Sequence, residues 1–308
     1  MKLLTSLISA LLICGQTAFA QFNAPNPTIP SSITFAGQTV NFDRNDMYER
    51  FDRELTALAY THGNTLLTIK RANKYFPIMS PILKRYGVPQ DLLYLACIES
   101  YLDPRALSPS KAAGLWQFVP VTAKQYGLEV NDYVDERYNI EKETEAACKF
   151  LLSLKNRFGS WESVAAAYNA GNTRIANELD SQGVRSTFDL YLPEETSRYM
   201  FRLFAMKEIM ENPAKYGFTI KPSQLYNPIN CSTVTVSGPV EDWQKWAQQH
   251  GTNYMTLRDL NPWIRAKSLP NKTGKTYQVL LPKKNSLSRS SQTAKVFNPA
   301  WTQQKTKQ

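Results

Sequence analysis

The chain is predicted to be mainly α: an all-α domain followed by a small βααβ domain. Three observations carry this. Met47, Phe51, Leu55 and Leu58 open a series of apolar positions at helical spacing. No strand-like alternation is read before residue 230. Beyond Asn227-Pro228, two short alternating runs, Thr233 to Val236 and Tyr277 to Leu281, bracket two helical turns. With 308 residues, 43% of them hydrophobic and 20% charged, the chain is long and apolar enough to bury a core in two domains, which excludes general disorder.

Residues 1–20 read as a secretory signal: Lys2 supplies the positive end, Leu3 to Cys14 the apolar stretch, and Ala18-Phe19-Ala20 the cleavage site. The apolar run is shorter than the ~20 residues a spanning helix needs. Export to a periplasm or cell envelope, with cleavage near Ala20, is therefore expected. Lipid modification at Cys14 is disfavoured by the bulky Ile13 before it. Residues 21–45, with Pro25, Pro27, Pro30 and Gly37, read as an extended leader. The helical domain is placed at 46–227, with further helices at about 65–75, 78–86, 90–101, 140–158, 161–170 and 194–210. Gly87 and Gly159 stand where C-terminal caps belong, and Pro89 where a helix can begin. The second domain is placed at 228–283, its first helix presenting Trp243, Trp246 and Ala247 on one side. Residues 284–308 read as a basic, disordered tail: from Lys283 onward there are six basic residues and no acid.

The formal net charge of +10 suits a polyanionic partner, and export makes nucleic acid the weakest candidate. His62 and His250 lie far apart and no cysteine pair has metal-ligand spacing, so neither a metal nor another cofactor is expected. Cys97 and Cys148 lie in apolar helical patterns and read as buried thiols in preference to a bridge.

Chemistry concentrates in DLLYLACIESYLD, Asp91 to Asp103, where Glu99 is the only charged residue between the two aspartates. Leu92, Leu95, Ala96 and Glu99 share one stripe of a helix. Burial there raises a carboxyl pKa and keeps a proton donor available near neutrality. A structural ion pair, with Arg105 near in sequence, is the competing reading. Asp103 precedes Pro104, a context for local capping, although one helical turn from Glu99 it is also the obvious second carboxylate.

Glu99-Ser100, then Gly114-Leu115-Trp116-Gln117-Phe118-Val119-Pro120, then Ala167-Tyr168-Asn169 form a composite signature. It resembles the family 1 lytic transglycosylases, whose goose-type lysozyme-like domain cuts peptidoglycan. The likeness covers roughly residues 75–215, and Leu192 to Tyr199 looks most like the membrane-bound D-type branch. The resemblance implies a lysozyme-like fold and a single catalytic acid and base at Glu99. It also implies cleavage between N-acetylmuramic acid and N-acetylglucosamine with closure of a 1,6-anhydro ring, the partner being peptidoglycan glycan strands. Peripheral association with the outer membrane or envelope is compatible with it. Gln117 offers donors and an acceptor for sugar hydroxyls and N-acetyl groups. Ser108 is expected to bond the sugar beside the acid or to tune that acid. Tyr168 and Asn169 end a small-residue helix where side chains can enter a cleft, and Tyr199 matches a family tyrosine that reaches the Glu99 carboxyl. For both tyrosines, core packing with a satisfied hydroxyl stays open. Trp116 replaces a frequent Met and is expected to alter packing beside the sugar. A water-using muramidase and a non-catalytic wall-binding protein remain alternatives.

The C-terminal unit resembles a LysM module through Asn261-Pro262 and its closing Val-Leu-Leu-Pro strand, though Ser237 to Val240 departs from the usual first turn. It is expected to add wall affinity without chemistry, so that a chain ending near Asn227 folds and cleaves alone.

Overall fold

The computed structural model describes residues 26–291 and 295–302; the signal segment at 1–20 lies outside them, as do residues 303–308. Among the described residues, eight α-helices precede the second domain: α1 (Asn45–Tyr60), α2 (His62–Tyr86), α3 (Leu93–Ser100), α4 (Pro120–Gln125), α5 (Ile140–Phe158), α6 (Trp161–Ala170), α7 (Asn172–Ser181) and α8 (Glu194–Glu211). α8 is the central element. It packs on α1, α3 and α6 and buries Tyr199, Met200, Phe201, Leu203, Phe204 and Met206. The mainly helical fold read from the periodicity is present.

Three expectations need correction. The predicted breaks between 75 and 78 do not occur, and α2 runs for 25 residues through Pro77 and Pro81. Both rings lie on the exposed face, where water can satisfy the freed carbonyls, while Tyr75, Phe76, Met79, Ile82 and Leu83 hold the other face in the core.

The extended leader contains a hairpin, β1 (Ser32–Phe35) and β2 (Gln38–Asn41), paired antiparallel with Ile33 opposite Val40. Ala36 and Gly37 make its turn at φ 50° and 82°. Ile33, Phe35 and Val40 alternate inward, but each run is only four residues, too short to stand out among the flanking prolines. Phe35 meets Phe204 edge-on at 5.1 Å and Phe42 stacks on Phe51 at 4.2 Å, so the hairpin belongs to the helical core.

The basic tail is ordered where it is described over 295–302. Trp301 is buried, its indole N–H donating to the Met210 carbonyl at 2.8 Å, and it packs with Phe297 on Phe76. The sequence signal was charge, but two aromatics in the segment outweigh it. Asn73, fully buried on α2, clasps both ends of the second domain: its amide donates to the carbonyls of Tyr226 and Lys295, and its oxygen accepts from the Phe297 N–H.

The second domain is β3 (Cys231–Val236), α9 (Trp243–Gln249), α10 (Tyr254–Leu260) and β4 (Tyr277–Pro282), with β3 and β4 antiparallel and Val234 opposite Val279. This is the expected βααβ order. Asn261, fully buried, ties its two halves by donating to the Leu257 and Leu280 carbonyls and accepting from the Leu280 N–H. The domain does not stand alone. Its core of Trp243, Leu257, Trp263 and Val279 continues into Ala113, Val134 and Tyr138 of the helical domain. Backbone bonds cross the seam at Asp135 to Trp263 and Arg265 to Tyr133, both 2.9 Å. Glu129 receives Lys275 at 3.0 Å and the Tyr277 hydroxyl at 3.1 Å. An independently folded chain ending near Asn227 is therefore not what the packing supports, because that cut uncovers this apolar seam and removes Trp301.

Cys97 and Cys148 are free and buried, and Cys231 is free and half-buried. Among the described residues no cluster of His, Cys, Asp and Glu is arranged to hold a metal, and no helix is long and apolar enough to cross a membrane.

Candidate active site

Glu99 stands in the last turn of α3, where Leu92, Leu95 and Ala96 of its stripe are fully buried. The helix ends abruptly because Tyr101 and Leu102 both take left-handed conformations, φ 50° and 54°. This turns the chain away and leaves the Glu99 carboxyl half-buried at the wall of a cleft of about 550 Å3. Ser100, buried beside it, donates its hydroxyl to the carbonyls of Ala96 and Leu115 at 3.0 and 2.9 Å. The Glu-Ser pair thus joins α3 to the loop that carries Gln117.

That loop is held from below by residues the sequence reading passed over. Gly114 has φ 80°, and a Cβ there would lie 1.8 Å from the Arg137 carbonyl oxygen and 2.4 Å from a Glu143 oxygen. Only glycine fits. Glu143 of α5 is fully buried; one carboxyl oxygen accepts the Trp116 N–H at 3.2 Å, and the other has no partner among the described residues. Burial raises its pKa well above the ordinary carboxylate value, against the lowering effect of the backbone N–H groups of Trp116 and Leu115. Arg137 and Asp135 form a buried pair at 2.7 Å, and Arg137 donates to the carbonyls of Lys111 and Phe118 at 2.6 and 3.0 Å. A Glu in a helix and an Asp-Glu-Arg run carry no distinctive spacing, which is why composition and periodicity did not select them.

The cleft brings together Glu99, Ser108, Gln117, Tyr168 and Asn169 from four separate segments. Gln117, itself at φ 49°, donates to the Gly114 carbonyl at 2.8 Å. Tyr168 donates its hydroxyl to the Trp116 carbonyl at 2.6 Å and lays its ring against Phe150. Ser108 accepts the Ala112 N–H at 3.0 Å and lies 2.9 Å from the Ser110 hydroxyl.

Tyr199 is the exception among the expected sugar-binding residues. It is buried behind Glu99 and outside the cleft lining, donating its hydroxyl to the carboxyl at 2.5 Å. Its place is with the acid, because α8 packs directly on α3, the helix that carries Glu99. Trp116 is likewise not beside the cleft but fully buried, its indole N–H on Thr144 at 3.0 Å.

Desolvation raises the Glu99 pKa to about 7, against the lowering effects of the Tyr199 hydroxyl and the Arg202 charge. Arg105 does not pair with it and instead meets Asp259 at 3.7 Å. Asp103 is also turned away, accepting from the Arg105 N–H at 3.0 Å and lying 3.4 Å from Arg71. The second carboxylate of the cleft is Glu195, in the first turn of α8, whose charge raises Glu99 further. It was missed because the Pro-Glu-Glu that contains it reads as a helix start.

Fold and site define a helical domain whose cleft presents a desolvated carboxylic acid, Glu99, at its wall. Residues 76–190 match the Transglycosylase SLT domain family, and residues 232–285 match the Soluble lytic transglycosylase C-terminal LysM-like domain. The chain is 30% identical over 242 residues to the Membrane-bound lytic murein transglycosylase D of Escherichia coli K12, covering 77% of this chain and 52% of that protein. It is 43% identical over 123 residues to the Peptidoglycan transglycosylase gp16 of Escherichia phage T7, covering 38% of this chain and 9% of that one. A solved complex of the 70-kDa soluble lytic transglycosylase with bulgecin A aligns at TM-score 0.39 and 23% identity, over 43% of this chain and 23% of that one. The chain thus carries an SLT-type domain followed by a LysM-like domain, and it spans about half the length of the D-type relative it matches.

Proposed function

We propose that this protein is an exported peptidoglycan lytic transglycosylase of the cell envelope, with Glu99 as its acid and base. The observation that carries the reading is the half-buried Glu99 carboxyl, raised to about 7 and bonded by Tyr199 at the wall of a polar cleft. Near neutrality a substantial fraction of such a carboxyl is protonated, which suits a general acid. Glu99 protonates the glycosidic oxygen between N-acetylmuramic acid and N-acetylglucosamine, and the C1–O bond breaks. The resulting carboxylate takes the proton of the muramoyl C6 hydroxyl, whose oxygen bonds to C1 and closes the 1,6-anhydro ring. Glu99 regains its proton and no water is consumed. Gln117, Ser108 and Asn169 orient the sugars through hydrogen bonds, Tyr168 fixes the loop that carries Gln117, and Tyr199 positions the acid.

Glu195 supports a second reading, a muramidase in which a cleft carboxylate activates water. Digestion of purified sacculi in ¹⁸O-labelled water separates the two by mass spectrometry. Unlabelled anhydro ends are expected; labelled reducing ends that vanish in Glu195→Gln would establish hydrolysis instead. The similarity to a membrane-bound relative and the secretory-signal pattern of residues 1–20 support peripheral residence at the envelope.

A further inference from the structure

A second cavity, about 670 Å3, opens at the seam between the domains and lies outside the cleft. Arg71, Lys74, Arg105 and Arg289 line it, with Asp103 as the single carboxylate of its wall. Arg71 shares Asp103 at 3.4 Å and donates to the Tyr101 carbonyl at 3.0 Å, while Arg105 reaches Asp259 only at 3.7 Å. Arg289 donates to the Ser223 carbonyl. Neither Arg289 nor Lys74 has an ion-pair partner among the described residues, and the Lys74 ammonium lies 5.3 Å from the centre of the Tyr75 ring. Burial lowers the Lys74 pKa, and the Asp259 charge that acts the other way offsets this only in part. A desolvated, unpaired cation is costly to keep unless an anion completes it.

Position narrows the anion. The segment after α3 separates the two cavities: Pro104 and Arg105 face the seam, while Ser108 and Ser110 face the cleft. The cations come from three segments, α2, this loop and the chain beyond β4, so the charge is distributed around the cavity instead of converging on one point. Leu225 and Leu287 add apolar wall between them. Distributed cations with aliphatic wall match several carboxylates strung along a short chain better than one phosphate.

We propose that the seam cavity binds a carboxylate-bearing peptide, the stem hanging from a murein glycan whose sugars occupy the cleft. The inference rests on the murein reading for the source of the peptide, but its test requires no cleavage. Calorimetric titration of the full chain uses an N-acetylated tetrapeptide of alanine, γ-linked glutamate, diaminopimelate and alanine, alongside the same peptide with its carboxyls amidated. Saturable binding is expected for the acid form, weakened about tenfold or more by amidation, and weakened to a similar degree by Lys74→Met and by Arg289→Gln. Arg289 is exposed, so its variant remains informative should Lys74→Met fold poorly. Equal binding of the amidated peptide, displacement by inorganic phosphate at comparable concentration, or absence of saturable binding would overturn the proposal. None of these results bears on whether the cleft forms anhydro ends.

Discussion

The cleft around Glu99 and the sealed interior around Glu143 each hold a carboxyl whose pKa desolvation raises above the usual carboxylate value. They differ in access. Glu99 sits half-buried on a cleft wall with one hydroxyl donor behind it, whereas Glu143 is fully enclosed and accepts backbone N–H groups of the loop above. Burial alone raises proton affinity; only an opening onto substrate turns that affinity into acid catalysis. The same physics therefore builds a reactive group in one region and a structural clamp in the other.

The sharpest way to break this comparison is to remove each proton in turn. Glu99→Gln keeps the side-chain volume and should lower turnover on sacculi by about 10²–10⁴-fold while folding normally. Glu99 also carries a pH signature. Because its folded pKa lies above its unfolded value of 4.5, the protein should lose stability as pH rises from that value through about 7, and Glu99→Gln should flatten that segment of a Tm–pH profile. The activity limb that needs the protonated acid should fall over the same upper range, as a kcat/KM profile will read.

Opening the sealed region from outside is the next largest perturbation. A chain ending at Asn227 uncovers Val134 and Tyr138, next to the Arg137 carbonyl beneath Gly114, and deletes Trp301. Loss of one buried Trp costs about 3–5 kcal/mol, so thermal denaturation should fall by about 10 °C or more. A truncated chain as stable as the full one would show that the seam contributes nothing. Replacing Glu143 by Leu strands the Trp116 amide above it and should cost about 1–3 kcal/mol. Glu143→Gln, a neutral acceptor of the same shape, should cost less than half of that in urea denaturation.

Smaller again is Tyr199→Phe. The hydroxyl lowers the Glu99 pKa, so its removal should move the alkaline limb of the rate profile upward from about 7, in addition to any loss of rate. An unmoved limb would make Tyr199 a packing residue only. Asp103→Asn should change turnover least, because that side chain caps its own turn and meets Arg71 outside the cleft.

Much of the reactive region was legible in the sequence, and little of the sealed one. Glu99 stood out because a lone charge in an apolar helical stripe violates the pattern, whereas Gln117, Tyr168 and Asn169 were reached through the resemblance of their motifs to a known family. Glu143, Asp135 and Arg137 obey ordinary surface statistics in the sequence and become buried only through contacts distant along the chain, which periodicity does not encode. Glu195 hid in a helix-start context. The hairpin at Ser32–Asn41 was too short for its alternation to register, and the tail misled because charge was counted while Phe297 and Trp301 were not.

The clasp at Asn73 has a topological consequence. Its amide holds the outgoing strand of chain at Tyr226 and Asn227 and the returning strand at Lys295 within one hydrogen-bond cluster. The Asn227 side chain itself accepts from the Lys295 N–H at 3.4 Å. The βααβ domain is thus spliced into the helical body like an inserted cassette, entering and leaving through one gate. Rejoining Asn227 to Lys295 would need almost no chain to span the gap and would keep Trp301 anchored, while still uncovering the seam at Val134 and Tyr138. The insert's neighbours in sequence are already neighbours in space, so a pull on the inserted domain is shared by two tethers rooted at one buried asparagine.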